Sequence, residues 1–176
     1  TDLPFEVTGM VTAHPRVYFK TSGCNRDDEK YYGSYFIEDK TGGLFILGDS
    51  KVAHFDMGDR VTLNVRAVRT TFDLNMVVAH DVVAVERGPE PIAYEVASSE
   101  FDLDDIARVK RVTGVVQTET DTFGSFTIKD ENDVVFGISL DAEPSRRGIS
   151  YPVGSVIQAT GPVMYSYSEF AIVVMR

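Results

Sequence analysis

The chain has 176 residues, 43% of them apolar and 25% charged, with a formal net charge of −10. Such a composition folds into one domain or two small ones, no apolar run is long enough for a spanning helix, and the net charge argues against a polyanionic partner. The single Cys24 excludes an internal disulfide and a four-cysteine zinc site.

The acidity is concentrated. Residues 1–87 carry ten Lys and Arg against thirteen Asp and Glu, residues 88–107 carry six acids and no base, and residues 108–176 carry seven bases against eight acids. Thr1 rather than Met at the start leads us to expect a processed or excised part of a longer chain, with any leader or lipid anchor before it.

In chain order, Phe5 to Thr12 alternates around Gly9 and reads as a first strand that the glycine lets bend or bulge. Ala13 to Tyr32 reads as a long loop with two aromatic clusters, Tyr18-Phe19 and Tyr31-Tyr32. Gly33 to Ile46 follows, in which Tyr35, Phe36 and Ile37 run through Glu38 and Asp39 into a turn at Lys40-Thr41-Gly42-Gly43 and return along Leu44 to Ile46. Asp49 to Met57 lacks strong alternation and reads as a helical turn or an irregular crossover, and Gly58-Asp59 turns into the near-alternating strand Arg60 to Arg69. A turn over Thr70 to Asn75 leads to a closing strand, Met76 to Val85.

Gly88-Pro89-Glu90-Pro91 ends this unit, because prolines on both sides of Glu90 cannot continue a strand. Leu103, Ile106 and Val109 then fit a short helix capped by Ser98 or Ser99, with Glu100, Asp102 and Asp104 near its positive end. A metal or basic partner at Asp102, Asp104 and Asp105 is the other reading, although the glycine and distal glutamate of a calcium loop are lacking.

The second half repeats the first. Val112 to Thr118 matches the opening strand, and Gly124 to Ile138 (GSFTIKDENDVVFGI) matches Gly33 to Ile46 (GSYFIEDKTGGLFI). A looped crossover over Asp141 to Tyr151, a start at Val153-Gly154-Ser155, and strands Val156 to Val163 and Phe170 to Met175 around a turn at Tyr165 to Glu169 complete it. Gly9 to Gly33 spans 24 residues and Gly114 to Gly124 spans 10, so the first unit carries an insertion of 14. The expectation is an all-β chain with three parts: residues 1–87, an acidic linker over 88–107, and residues 108–176.

Five strands with a glycine in the first and an irregular piece between the third and fourth are what an OB-type barrel requires. VTGMVT, GSYFIEDKTGGLFI and MGDRVTLNVRAV resemble the OB-type domains of bacterial secreted and lipoprotein-associated proteins, including those attached to extracellular nucleases. The second unit keeps the opening motif but has Glu131-Asn132-Asp133 for Thr-Gly-Gly and Gly154-Ser155 for Gly-Asp. The resemblance implies two tandem five-stranded OB-type barrels and a periplasmic, secreted or lipoprotein-anchored location. Fold does not itself give function.

No catalytic constellation is visible. His14, His54 and His80 lie in separate segments without ligand spacing, and Ser22-Gly23-Cys24 has no partner base. Asp39 and Asp130 recur at the same hairpin position, where turn formation explains them. We therefore expect a non-catalytic binding module without metal or cofactor. OB barrels bind through strands two and three and the loops that frame them. In the first unit those loops interleave aromatics and bases, which suits base stacking and phosphate neutralisation. Arg16, Tyr18, Lys20, Tyr32, Arg69 and Phe72 are thus the candidate contacts for single-stranded nucleic acid. In the second unit Phe123, Tyr165, Tyr167 and Phe170 have almost no base nearby. The rival is an envelope module that holds a protein or glycan, which the acidic charge favours. Tyr35 and Phe36 are expected to fill the barrel or the contact between units.

Overall fold

A computed structural model describes residues 2–13, 35–47, 55–71, 74–140 and 148–174. Nearly all of the regular structure is β. Strands β1 (Phe5–Ala13), β2 (Tyr35–Asp39), β3 (Gly42–Ile46), β4 (Arg60–Thr71) and β5 (Leu74–Glu86) close a five-stranded barrel in the order β1-β2-β3-β5-β4. Only the β3–β5 contact is parallel. Among the described residues no helix is long and apolar enough to cross a membrane.

The barrel closes because alternation puts one side chain in two inside. Val61, Leu63 and Val65 of β4 are wholly buried and meet Val11, Tyr35, Ile37, Ile46, Phe55 and Val77 in one cluster. The register of β1 against β2 shifts between Val11 and Ala13, so the bulge expected at Gly9 falls at Thr12. Gly9 itself is regular, and a Cβ there would lie 3.2 Å from the Glu38 carbonyl oxygen.

In the β2–β3 hairpin Asp39 pairs with Gly42. The turn is therefore Lys40-Thr41, and the glycines expected in it belong to β3. Asp39 makes the turn as its residue type suggests, since Oδ1 accepts the Thr41 and Gly42 N–H groups at 2.7 and 3.1 Å. Asp130 does the same for Asn132 and Val134, at 2.9 and 2.8 Å.

The second half forms a six-stranded sheet from β6 (Glu95–Val96), β7 (Val109–Val116), β8 (Ser125–Lys129), β9 (Val135–Leu140), β10 (Val156–Ser166) and β11 (Glu169–Val174). Its order is β10-β11-β9-β8-β7-β6, and β10 pairs also with β7. Apart from the short β6, which runs parallel to β7, one parallel contact, β9 with β11, lies among antiparallel ones as in the first half. The entry into the fourth strand is also repeated. Gly58 N–H donates to the Val11 carbonyl and Gly154 N–H to that of Val116, at 2.8 and 2.9 Å, while the N–H groups of Val11 and Val116 donate to Asp59 and Ser155.

The linker departs from expectation. In place of a helix capped by Ser98 or Ser99, a single 3-10 turn spans Leu103–Asp105 and is capped by Asp102. Asp102 accepts from Asp104 N–H, and Asp105 accepts in return from Asp102 N–H. Helix cannot propagate because Ala107 has φ +64°, and Val109, expected on the helical stripe, opens β7. Three of the six linker acids are paired with cations: Lys110 bridges Glu95 and Asp105 at 2.7 and 2.8 Å, and Arg60 reaches Glu90 at 3.1 Å. Among the described residues no cluster of His, Cys, Asp or Glu could hold a metal ion.

Candidate ligand groove and the junction between the units

Both faces of β2 are buried, for different reasons. Tyr35 and Ile37 point into the barrel, whereas Phe36 points out and is 1% exposed. Phe36 stacks at 5.0 Å on Phe45, its cross-strand partner. With Ala13, Leu74 and Met76 these rings form an apolar patch on the outer face of β2 and β3, and the patch is covered by Ala107 of the linker and Val173 of the second half. The two expectations for these aromatics are thus divided, Tyr35 filling the barrel and Phe36 the contact between units.

Polar contacts fix this seat at its edge. Glu38 accepts the Val109 N–H at 3.1 Å, and Arg108 donates to the Thr41 carbonyl at 3.1 Å while lying 3.9 Å from Glu38. Burial raises the Glu38 carboxyl above its ordinary pKa, against the lowering effects of the Val109 N–H and the Arg108 charge. Gly43 sits beneath Ala107, where a Cβ would stand 2.4 Å from the Ala107 carbonyl carbon and oxygen. The sequence alone reads Gly43 as a turn residue because nothing local shows the approach of a segment more than sixty positions away.

Inside the first barrel the Tyr35 hydroxyl shares a 2.9 Å hydrogen bond with His80 Nε2. Burial raises the Tyr35 pKa and lowers that of His80, so both groups are neutral at neutral pH. His80 therefore serves as a barrel-closing partner of Tyr35.

The corresponding face of the second half is open over β8 and β9, while on β11 Val173 is buried against the first barrel. A groove of about 610 Å³ runs over β8, β9 and β11, within the size range of ligand sites. Its floor is two cross-strand rows, Thr127-Gly137-Ala171 and Ser125-Ser139-Val173. The β7–β8 loop contributes Glu119 and Asp121 to its lining, and the β10–β11 turn contributes Tyr167 and Glu169. Among the described residues no Lys or Arg lines it, and none of its three carboxylates has a cationic partner. The side chains of Phe123 and Tyr167 are 84% and 72% exposed, whereas Tyr165 and Phe170 stack on each other at 4.5 Å.

Of the residues expected to contact ligand, Arg69 lies on β4 with its side chain exposed. Arg16, Tyr18, Lys20, Tyr32 and Phe72 lie outside the described residues, as do His14, Cys24 and His54. The groove's hydroxyls and carboxylates were not among the candidates, because Ser, Thr and Glu alternating along strands carry no motif. The exposed aromatics Phe123 and Tyr167 were the one visible signal.

No family model matches the chain, and no curated protein matches it. A solved structure, of a replication protein A heterotrimer bound to ssDNA, contains a chain similar to this one at 12% identity, with a TM-score of 0.38. That likeness covers 98% of this chain and 49% of the other, so this chain spans about half the length of its neighbour. At this distance it carries no argument about ligand.

Proposed function

We propose that this chain is a non-catalytic binding module made of two OB-type barrels, in which the first barrel carries the second and the second takes the ligand. The observation that carries this reading is the opposite fate of two equivalent faces. The β2–β3 face is sealed by Ala107 and Val173, whereas the β8–β9 face is an open groove. OB barrels present ligand sites on this face between its framing loops. The repeated strand pairings and the matched hydrogen bonds of Gly58 and Gly154 support reading the second sheet as a barrel like the first. An interaction with protein or glycan fits the groove better than nucleic acid does, because among the described residues no cation in its lining could meet a phosphate.

Single-stranded nucleic acid is the second reading. It would use the first unit's loops through Arg16, Tyr18, Lys20, Tyr32 and Phe72, together with exposed Arg69, and would bypass the sealed face. The periplasmic, secreted or lipoprotein-anchored location belongs to the same proposal and is tested by fractionating cells that express the tagged parent protein.

Hydrogen exchange of the whole chain, with and without an oligothymidylate, a basic peptide and a neutral oligosaccharide, tests the binding reading. Protection of β8, β9 and β11 by the peptide or sugar is expected. Protection confined to the first barrel's loops by the oligonucleotide would overturn it in favour of the second reading.

A further inference from the structure

The junction between the units uses one row of side chains on the first barrel, and the second sheet has the same row with different chemistry. In the first unit Met10 pairs with Glu38 and with Arg60, and Glu38 pairs with Gly43, so Gly43-Glu38-Met10-Arg60 run across β3, β2, β1 and β4. The chain that follows is fastened to this row at both ends: Glu90 on Arg60, Ala107 over Gly43 and the Val109 N–H on Glu38. In the second unit Val115 pairs with Lys129 and with Val156, and Lys129 pairs with Val135. The equivalent row is therefore Val135-Lys129-Val115-Val156, and its valines are 53%, 38% and 70% exposed in that order. Directly opposed residues on neighbouring strands touch, so the three valines and the stem of Lys129 form one apolar strip open to solvent.

The segment that occupies such a seat is duplicated as well. Val112-Thr113-Gly114 matches Val7-Thr8-Gly9, so Ala107-Arg108-Val109 at the entry to β7 correspond to Asp2-Leu3-Pro4 at the entry to β1, which are exposed. Seat and segment differ from the junction in matched ways. At the junction Glu38 accepts the Val109 N–H and faces the Arg108 charge. Lys129 in place of Glu38 cannot accept that bond, and Pro4 in place of Val109 has no N–H to offer. Leu3 in place of Arg108 brings an apolar group to an apolar strip, and Asp2 brings a carboxylate where the seat's charge has become positive. Lys129 is already met by the exposed Asp133 at 2.8 Å, so the apolar contact and not an ion pair supplies the attraction.

We infer that copies of this chain associate head to tail, with the Leu3-Pro4 entry of one copy's first unit lying on the Val135-Lys129-Val115-Val156 strip of the next copy's second unit. The two surfaces are different, so the contact is heterologous and leaves each end free to add a further copy. The strip is small beside the interface of a stable dimer, and the net charge of −10 opposes contact, so the association is weak and salt strengthens it.

Sedimentation velocity of the whole chain from about 10 μM to about 1 mM, at low and at moderate salt, tests this. The weight-average sedimentation coefficient should rise with concentration, and rise further with salt. Val156→Asp and Leu3→Asp lie at exposed positions and should keep the wild-type Tm, while each alone moves the rise to concentrations roughly tenfold or more higher. Val135→Asp, a second change in the strip, should act like Val156→Asp. Mixed in equal amounts, the Val156→Asp and Leu3→Asp chains should form a dimer that grows no further, since one keeps the segment and the other keeps the strip. A chain that stays monomeric throughout overturns the inference. So does association that Leu3→Asp leaves unchanged, which would point to two valine strips meeting face to face, and so does a mixture that stays monomeric.

Discussion

Substituting Gly43 tests whether the junction is a close-fitted contact. A Cβ at this position would stand 2.4 Å from the Ala107 carbonyl atoms and 2.7 Å from its Cβ, where ordinary contact begins at 3.4 Å. One side must therefore retreat by about 1 Å, the kind of overpacking that costs roughly 1–3 kcal/mol. Neither side moves freely. Gly43 is held in β3 opposite Glu38, while Ala107 donates to the Val163 carbonyl at 2.7 Å and Val163 N–H to that of Arg108 at 3.0 Å. The strain should fall on the contacts that join the halves, namely the Phe36–Phe45 patch and the Glu38–Val109 bond. Gly43→Ala should lower Tm by roughly 3–10 °C for a chain of this size, with faster hydrogen exchange at residues 36–46 and 106–109. Gly42→Ala is the control, because a Cβ there meets nothing within 4 Å. If Gly43→Ala unfolds like the wild type, or Gly42→Ala loses as much, the halves do not meet as described.

Phe45→Ala, which removes a ring 3% exposed from the junction, should destabilise by about 3–5 kcal/mol in denaturant unfolding; a loss below 1 kcal/mol, of order a surface change, would mean the patch is not packed. Asp39→Ala should cost about 0.5–1 kcal/mol at neutral pH, given its exposure to solvent. The hydrogen bonds from Thr41, side chain first, hold the Asp39 carboxyl below its usual pKa. Its contribution is therefore complete above the ordinary Asp pKa and lost as pH falls through the folded value, so wild-type and variant stabilities should converge in acid; a gap that persists there contradicts the turn's dependence on the ionised carboxylate. His80 behaves as the base counterpart. Burial lowers its pKa, so the unfolded chain takes up the proton first and stability drops as pH falls through the ordinary His value. Wild type should lose more urea resistance between neutral pH and about pH 5.5 than His80→Gln does; equal losses would assign the acid sensitivity elsewhere.

Nearly every strand is legible in the sequence, because strand formation is a short-range matter of alternating side chains and turn residues. Arg60 to Arg69 shows its buried Val61, Leu63 and Val65 by period alone. Asp39 and Asp130 declare their turns because a carboxylate two residues before an amide needs no distant partner. The linker departs from this local logic where a distant constraint intervenes. Leu103, Ile106 and Val109 have helical spacing, yet pairing with β10 draws Val109 into a strand and the turn at Ala107 stops the helix short.

The likeness of Gly33 to Ile46 and Gly124 to Ile138 predicts that the two halves share an order of strands, as β1-β2-β3-β5-β4 and β7-β8-β9-β11-β10 do. It could not determine which half would be left to bind. Tyr35 and Phe36 are adjacent aromatics, and a strand buried on both faces loses the alternation that separates inside from outside. Only the docked second half decides that Phe36 lies at a junction and that Gly43 must lack a side chain. The reason is physical: a barrel's outer face is covered or open according to what packs on it from far along the chain. The first unit's β2–β3 face is covered in this way, and the second unit's equivalent remains open as an acidic groove.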